Sequence, residues 1–221
     1  MNRSNYTVVL ILLTFFVISF LTNITGPLIP DIIKGFNLSL TLVALLPFAF
    51  FIAYGVMSIP SGMLLEKYKE KKMMSMAFGV ALVGSLILAF SPNYLSAVLS
   101  LFLIGCGMAI LQVVINPLLR TAGGEENYAF NSILAQLIFG LASFVSPLVY
   151  SGMVAKLQMP DAGGGIAGLL KKLTPPDLPW VSLYWLFAVI SLIMIAIIIA
   201  SRFPKVELSQ EEKAGPIDTY K

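Results

Sequence analysis

The sequence contains no histidine, a single cysteine and few charged residues. Only 11% of its 221 residues are charged, whereas 58% are hydrophobic and the mean hydropathy is +0.91. This composition excludes a soluble domain of this size and predicts a membrane protein. Histidine-based catalytic triads and zinc sites are excluded, and Cys106 has no partner for an intrachain disulfide. We therefore expect no enzyme activity, no metal and no cofactor.

Long apolar stretches recur along almost the whole chain. A bilayer core about 30 Å thick requires roughly 20 mostly apolar residues in a helix. Six stretches meet this requirement, at residues 6–29, 42–64, 73–90, 95–118, 128–153 and 183–201. The predicted fold is all-α, a polytopic membrane protein with six transmembrane helices.

The distribution of lysine and arginine predicts the orientation. Cytoplasmic loops carry an excess of these residues. With both termini inside, ten of the 14 basic residues are cytoplasmic, and four lie outside: Lys34, Lys156, Lys171 and Lys172. We expect an integral protein of a plasma membrane, such as a bacterial inner membrane, with both termini cytoplasmic. The net charge of +3 reflects this topology and gives no reason to expect a nucleic-acid partner.

Two hydrophilic segments interrupt or follow the spans. Residues 154–182 form a long connection rich in Gly and Pro, for which two interpretations stay open: a short helix at residues 166–173 on the membrane surface, or a poorly ordered insertion. The composition becomes polar near residue 204. We predict one transmembrane bundle at residues 1–203 and a cytoplasmic linker or tail at residues 204–221.

Amide side chains inside the spans are the main clue to function. An unpaired amide in hydrocarbon costs on the order of 1–3 kcal/mol, so each needs a partner, a cavity or water. Asn23 lies in the first span and Gln136 in the fifth, while Gln112 and Asn116 lie four residues apart on one face of the fourth. Interhelical hydrogen bonds would satisfy any one of these amides. Several together, with few acids beside them, favour a cavity for a neutral, hydroxyl-rich solute such as a sugar.

The connection between the second and third spans, SGMLLEKYKEKK, resembles a motif of the major facilitator superfamily. Five residues match the outline of that motif: Gly62, Glu66, Lys67, Lys71 and Lys72. Lys69 and Glu70 stand where a second Gly and a basic residue are expected. Ordinary positive-inside charge would explain the lysines, but it would not explain the spacing of Gly62 and Glu66. The resemblance implies one six-helix half of a major facilitator fold, with Gly62, Glu66, Lys67 and Lys71 at the cytoplasmic gate.

Other segments are similar to the fucose permease and glucose/galactose transporter family over about residues 7–205. These segments are FLTNITGPLIPDI, IPSGMLLEK, LQVVINP and LAQ. The resemblance implies that Asn23, Gln112, Asn116 and Gln136 bind the sugar. Gly26 stands where many members have Asp, and Gln112 replaces a Glu of the fucose permease. Coupling to sodium, coupling to protons and facilitated diffusion therefore all stay open.

The resemblance also predicts a partner for this chain. Family members have about twelve spans in two halves, with the substrate between the halves near the midplane. We expect transport of a neutral monosaccharide by alternating access, with a second six-helix half that is either a missing C-terminal half or another chain. The alternatives are a major facilitator carrier of another solute, such as a drug or organic anion, a six-helix homodimeric carrier, and a receptor or scaffold without transport.

Overall fold

The computed structural model describes residues 5–159 and 165–204, and all regular structure in these ranges is helical. The α-helices are α1 (Asn5–Asn23), α2 (Thr25–Phe36), α3 (Leu40–Phe90), α4 (Tyr94–Gly123), α5 (Tyr128–Gln158), α6 (Gly165–Leu173) and α7 (Ser182–Ala200). Short 3-10 turns at Glu125–Asn127 and Pro179–Val181 precede α5 and α7. The all-α prediction is confirmed.

Six spans are present, although α3 runs through two of them. Five helical stretches are long and apolar enough to cross a membrane, and one of these is the 51-residue stretch Leu40–Phe90. Within it, Lys69 has φ 61° and ψ 168°, which breaks the helical path. We call the part before this break α3a (residues 40–68) and the part after it α3b (residues 70–90). The first span consists of α1 and α2, and the others are formed by α3a, α3b, α4, α5 and α7.

Small residues on α4 allow close packing against both parts of α3. A Cβ atom at Gly105 would lie 2.5 Å from the Phe50 carbonyl oxygen, and one at Gly107 would lie 2.6 Å from that of Ala77. Because such distances are too short for any side chain, glycine lets the backbones approach closely. The other main contacts join α3 to α7, and α1 to α5 and α4.

Large apolar side chains cover the outward faces of α3a and α5. On α3a the exposed residues include Phe48 and Ile59, and on α5 they include Ile133 and Phe144. A soluble monomer rarely exposes apolar patches of this extent. These faces are therefore suited to lipid or to another apolar protein surface.

The long connection before α7 contains the expected short helix. The prediction at residues 166–173 corresponds to α6, which begins one residue earlier. Trp180, which follows it, is 2% exposed and packs edge-on against Phe36 at 5.3 Å between ring centroids. The expected linker or tail at residues 204–221 lies, apart from Pro204, outside the described residues.

Candidate functional site

The junction between α1 and α2 positions Asn23. Pro27 has no N–H to donate to the Asn23 carbonyl, so the helix breaks at Ile24, ahead of the proline. The Asn23 side-chain Nδ2 donates to the Ser19 carbonyl oxygen at 2.9 Å and to Ser19 Oγ at 3.1 Å. Ser19 Oγ in turn donates to the Phe139 carbonyl oxygen of α5 at 2.6 Å. These bonds orient the amide and leave Asn23 Oδ1 without a hydrogen bond to any described residue.

A cavity of about 270 Å³ opens beside Asn23, between the α1–α2 junction and α3a. We call it the α1–α3 cavity. It is lined by Thr22, Asn23, Thr25, Gly26, Ile29, Pro47, Phe50 and Phe51. None of these residues is charged, and the polar ones carry hydroxyl or amide groups. The cavity therefore combines hydrogen-bonding groups with an aromatic wall, as a small neutral solute requires.

The two amides of α4 lie outside this cavity. Gln112 is half-buried, and its side chain forms no hydrogen bond with another described residue. Asn116 is exposed, and its Nδ2 donates to the Gln112 carbonyl oxygen at 3.4 Å. Pro117 cannot donate to the Val113 carbonyl, which weakens the helix beside them. On α5, Gln136 lies in the fifth span as expected, and its side chain is exposed within this chain.

Two contacts fix the relative depth of the helices. Ser19 of α1 is bonded to Phe139 of α5, so these residues lie at one level. Near the N-terminus of α1, Val8 and Asn131 both lie next to Gly123, within 4 Å of where a Cβ atom on that glycine would be. These three residues therefore lie at a second common level. Because α4 runs antiparallel to α1, a step of one residue from Gly123 toward the N-terminus of α4 covers the same depth as a step of one residue from Val8 toward the C-terminus of α1.

The four amides share a narrow range of depth. With a rise of 1.5 Å per residue, Gln112 lies at about the level of Ser19. Asn116 and Gln136 lie about 5 Å from that level, toward the N-terminus of α1. Asn23 lies about 6 Å in the opposite direction. All four therefore fall within a layer about 12 Å deep. Only Asn23 lines the α1–α3 cavity, and convergence of all four on one pocket stays a prediction.

The motif at the end of α3a is present on the helix surface. A Cβ at Gly62 would have no atom within 4 Å, and Glu66, one turn later, is exposed. The Lys67 Nζ lies 5.4 Å from the centroid of the Tyr68 ring. Gly62 and Glu66 thus lie on one face of α3a.

The two departures from the motif lie at the break in α3 and at the first residue of α3b. Lys69 adopts φ 61° and ψ 168°, a conformation that is essentially restricted to glycine. The family motif has a glycine at this position, and the backbone conformation explains that preference. Glu70, which replaces a basic residue, is only 7% exposed.

Lys71 joins the motif to the end of the last span. Its Nζ donates to the carbonyl oxygens of Ile199 at 2.7 Å and Ser201 at 2.8 Å. The C-terminal carbonyls of a helix have no intrahelical partner, and a cation there is favourable. The Tyr6 hydroxyl also lies 2.8 Å from Ser201 Oγ. Lys71 therefore caps α7, a contact that no sequence pattern indicated.

One polar pair at the opposite end of the bundle also had no signal in the sequence. The Tyr150 hydroxyl of α5 donates to the Asp31 carboxylate of α2. The two residues are 119 positions apart. No local pattern indicates such a contact. It ties α5 to α2 on the side where Lys34 and α6 lie.

Comparison with known sequences gives one family and two kinds of relative. A sequence profile of the Major Facilitator Superfamily matches residues 11–218. Glucose/galactose transporters from two Brucella abortus strains are each 32% identical over 152 residues, which is 66% of this chain and 37% of theirs. The L-fucose-proton symporter of Escherichia coli K12 is 22% identical over 212 residues, or 90% of this chain and 48% of that protein. The chain thus spans about half or less of the length of these relatives.

Solved structures show the same fold. A crystal structure of the Escherichia coli fucose:proton symporter matches with a TM-score of 0.69 and 22% identity, covering 91% of this chain and 50% of that one. A major facilitator transporter in the outward conformation matches with a TM-score of 0.71 and 21% identity, covering 96% and 52% respectively. The six helices therefore have the arrangement of half of such a fold.

Proposed function

Because this chain belongs to the Major Facilitator Superfamily, we propose that it forms the N-terminal six-helix half of a carrier for a neutral monosaccharide. The observation that carries this proposal is the α1–α3 cavity, where Asn23, Thr22 and Thr25 provide polar groups and no lining residue is charged. An amide both donates and accepts hydrogen bonds, as does a sugar hydroxyl. The named activities of the relatives, glucose/galactose transport and fucose-proton symport, support the same solute class.

The amides have different roles in this proposal. Asn23 Nδ2 is already bonded to Ser19, so its free Oδ1 accepts a hydrogen bond from a sugar hydroxyl. Gln112, Asn116 and Gln136 lie at similar depth and bind other hydroxyls when the second half closes the space in front of them. Gln112 and Gln136 make no side-chain hydrogen bond to a described residue, and Asn116 makes only the one to the Gln112 carbonyl oxygen. This supports the role, because a permanently unpaired amide would be costly in the membrane.

A second six-helix half would cover the exposed apolar faces of α3a and α5. A Cβ atom added at Gly55 or Gly140 on these helices would have no neighbouring atom within 4 Å. An exposed helical glycine costs about 1 kcal/mol relative to alanine, a cost that close packing by another helix would offset. Residues 1–203 would then be one bundle and residues 204–221 the cytoplasmic linker, with both termini inside a bacterial inner membrane.

Alternating access would follow from rocking of the two halves around the sugar. Gly62 and Glu66 present one face of α3a for contact with the second half, while Lys67 and Lys71 lie beside the break in α3. These residues would hold the cytoplasmic gate closed in one state. The α1–α3 cavity has no carboxylate in its lining, so a coupling sodium ion would bind neutral oxygens such as the Asn23 carbonyl, which Pro27 leaves free. A coupling proton would bind elsewhere.

The test is counterflow of radiolabelled hexoses by the full-length protein in proteoliposomes, with and without a sodium or proton gradient. We expect at least one hexose to exchange, and Gln112→Leu to abolish exchange while the protein stays in the membrane. The matched control is Gln158→Leu, which changes an exposed amide at the far end of α5. Absence of exchange for every hexose tested would overturn the proposal.

A further inference from the structure

A second polar cavity lies at the opposite end of α1 from Asn23. Its volume is about 430 Å³, and it opens between the N-terminal parts of α1 and α5, next to the C-terminal end of α4. We call it the α1–α5 cavity. Three asparagines contribute to its lining: Asn5, Asn127 and Asn131. Apolar walls include Leu12 and Phe130.

Asn131 is the distinctive residue of this cavity. It is 9% exposed, and its side chain forms no hydrogen bond with any other described residue. The amide packs over Gly123, where an added Cβ would overlap its Nδ2. Glycine at position 123 therefore makes room for a buried amide with no protein partner in the described chain. Such a group is costly unless water or a ligand completes its hydrogen bonds.

The chemistry of the lining selects a class of ligand. No lining residue of this cavity is charged, which disfavours ions. Three amides offer both donors and acceptors, and Asn127 uses only one donor, at 3.3 Å to the Gly123 carbonyl oxygen. The walls of Leu12 and Phe130 suit the C–H faces of a ring. A neutral, hydroxylated solute meets all of these conditions.

Amides also lie at depths between the two cavities. Asn131 lies near the level of Val8, about 20 Å from the level of Asn23 along the bundle. Gln136 lies about 8 Å from Asn131 along α5, and the level of Asn23 is about 11 Å further on. Polar side chains therefore recur along the bundle at intervals comparable to the length of a small polyol.

We propose that the α1–α5 cavity is a second binding site for a neutral, hydroxylated solute, which the solute occupies on the cytoplasmic side after leaving Asn23. Asn131 is its central hydrogen-bonding residue. The inference rests on the proposed transport of a sugar, and it adds a site that neither the sequence motifs nor the α1–α3 cavity contains.

Thiol labelling in the full-length protein tests this site, with D-galactose as the probe and Cys106→Ala as the background. Val9→Cys reports on the α1–α5 cavity, because Val9 is 63% exposed and lines it. Leu13→Cys is the matched control, since Leu13 is 40% exposed one turn away and is not part of the lining. Ile29→Cys reports on the α1–α3 cavity. We expect saturating D-galactose to slow maleimide labelling at positions 9 and 29 several-fold and to leave position 13 unchanged.

Asn131→Ala separates the second site from the first. The alanine side chain is smaller and cannot clash. The substitution should raise the D-galactose concentration needed to protect position 9 about fivefold, which is the effect of losing one neutral hydrogen bond. The concentration needed to protect position 29 should not change. Protection at position 29 but none at position 9 would overturn the second site and leave the proposed function intact. Equal protection at position 9 with and without Asn131 would also overturn it. No protection at either position would remove both proposals.

Discussion

Lys71→Met tests whether the motif at the break in α3 holds the end of α7. Lys71 Nζ makes two hydrogen bonds, at 2.7 Å to the Ile199 carbonyl and 2.8 Å to the Ser201 carbonyl. Hydrogen bonds from a charged donor contribute about 1.5–3 kcal/mol each when sheltered, and less when solvent competes. Lys71 is half-buried, so we expect about 1 kcal/mol from each bond, or about 2 kcal/mol together.

This loss should be local to the last turn of α7. The methionine side chain preserves much of the length and apolar character of lysine but cannot donate. A loss of about 2 kcal/mol in the free energy of local opening corresponds to roughly 30-fold faster amide exchange. Hydrogen–deuterium exchange of the peptide that contains Ala200 and Ser201 measures this directly.

Neighbouring lysines provide the control. Lys72 is exposed, and its Nζ lies 4.5 Å from the centroid of the Tyr68 ring, so Lys72→Met removes the same charge and keeps the cap. Lys71→Arg should retain most of the protection, because it keeps a charged donor. If Lys71→Met and Lys72→Met show equal exchange in the last turn of α7, the capping role of Lys71 is refuted.

Three further substitutions test the packing and the break in α3. Lys69→Gly should stabilise the protein by about 1 kcal/mol or more, since only glycine adopts φ 61° and ψ 168° without strain; an unchanged or lower thermal midpoint in detergent would contradict this. Glu70→Gln should stabilise the protein at neutral pH, because a carboxylate that is only 7% exposed costs more free energy than a neutral amide at the same place; an unchanged or lower thermal midpoint would contradict this. Gly105→Ala should destabilise by about 1–3 kcal/mol, because its Cβ would meet the Phe50 carbonyl oxygen at 2.5 Å. The control Gly79→Ala, whose Cβ would meet nothing within 4 Å, should be neutral or stabilising.

Hydropathy was sufficient to predict the six spans and the all-α fold, because each span is an independent run of apolar residues. Proline alone did not locate the break in the first span, because this span contains both Pro27 and Pro30. The helix breaks at Ile24, ahead of Pro27, and continues through Pro30. The motif gave a clue to the break in α3, because Lys69 stands where the motif has a glycine, and Lys69 has a positive φ.

Contacts between distant residues were beyond the reach of sequence patterns. The bonds of Tyr150 to Asp31 and of Lys71 to Ser201 join residues more than 100 positions apart. Their side chains have no periodicity or spacing that indicates a partner. The exposure of Gln136 was also missed, because hydropathy reports depth along a helix and gives little information about which face meets another element.

The most direct test of the account is a structure of the full-length protein with D-galactose bound. We predict density for the sugar in the α1–α3 cavity, with a hydroxyl within about 3 Å of Asn23 Oδ1, and loss of that density in the Asn23→Leu variant under the same conditions. Absence of sugar density from the α1–α3 cavity, or density there that persists unchanged in Asn23→Leu, would contradict the central claim.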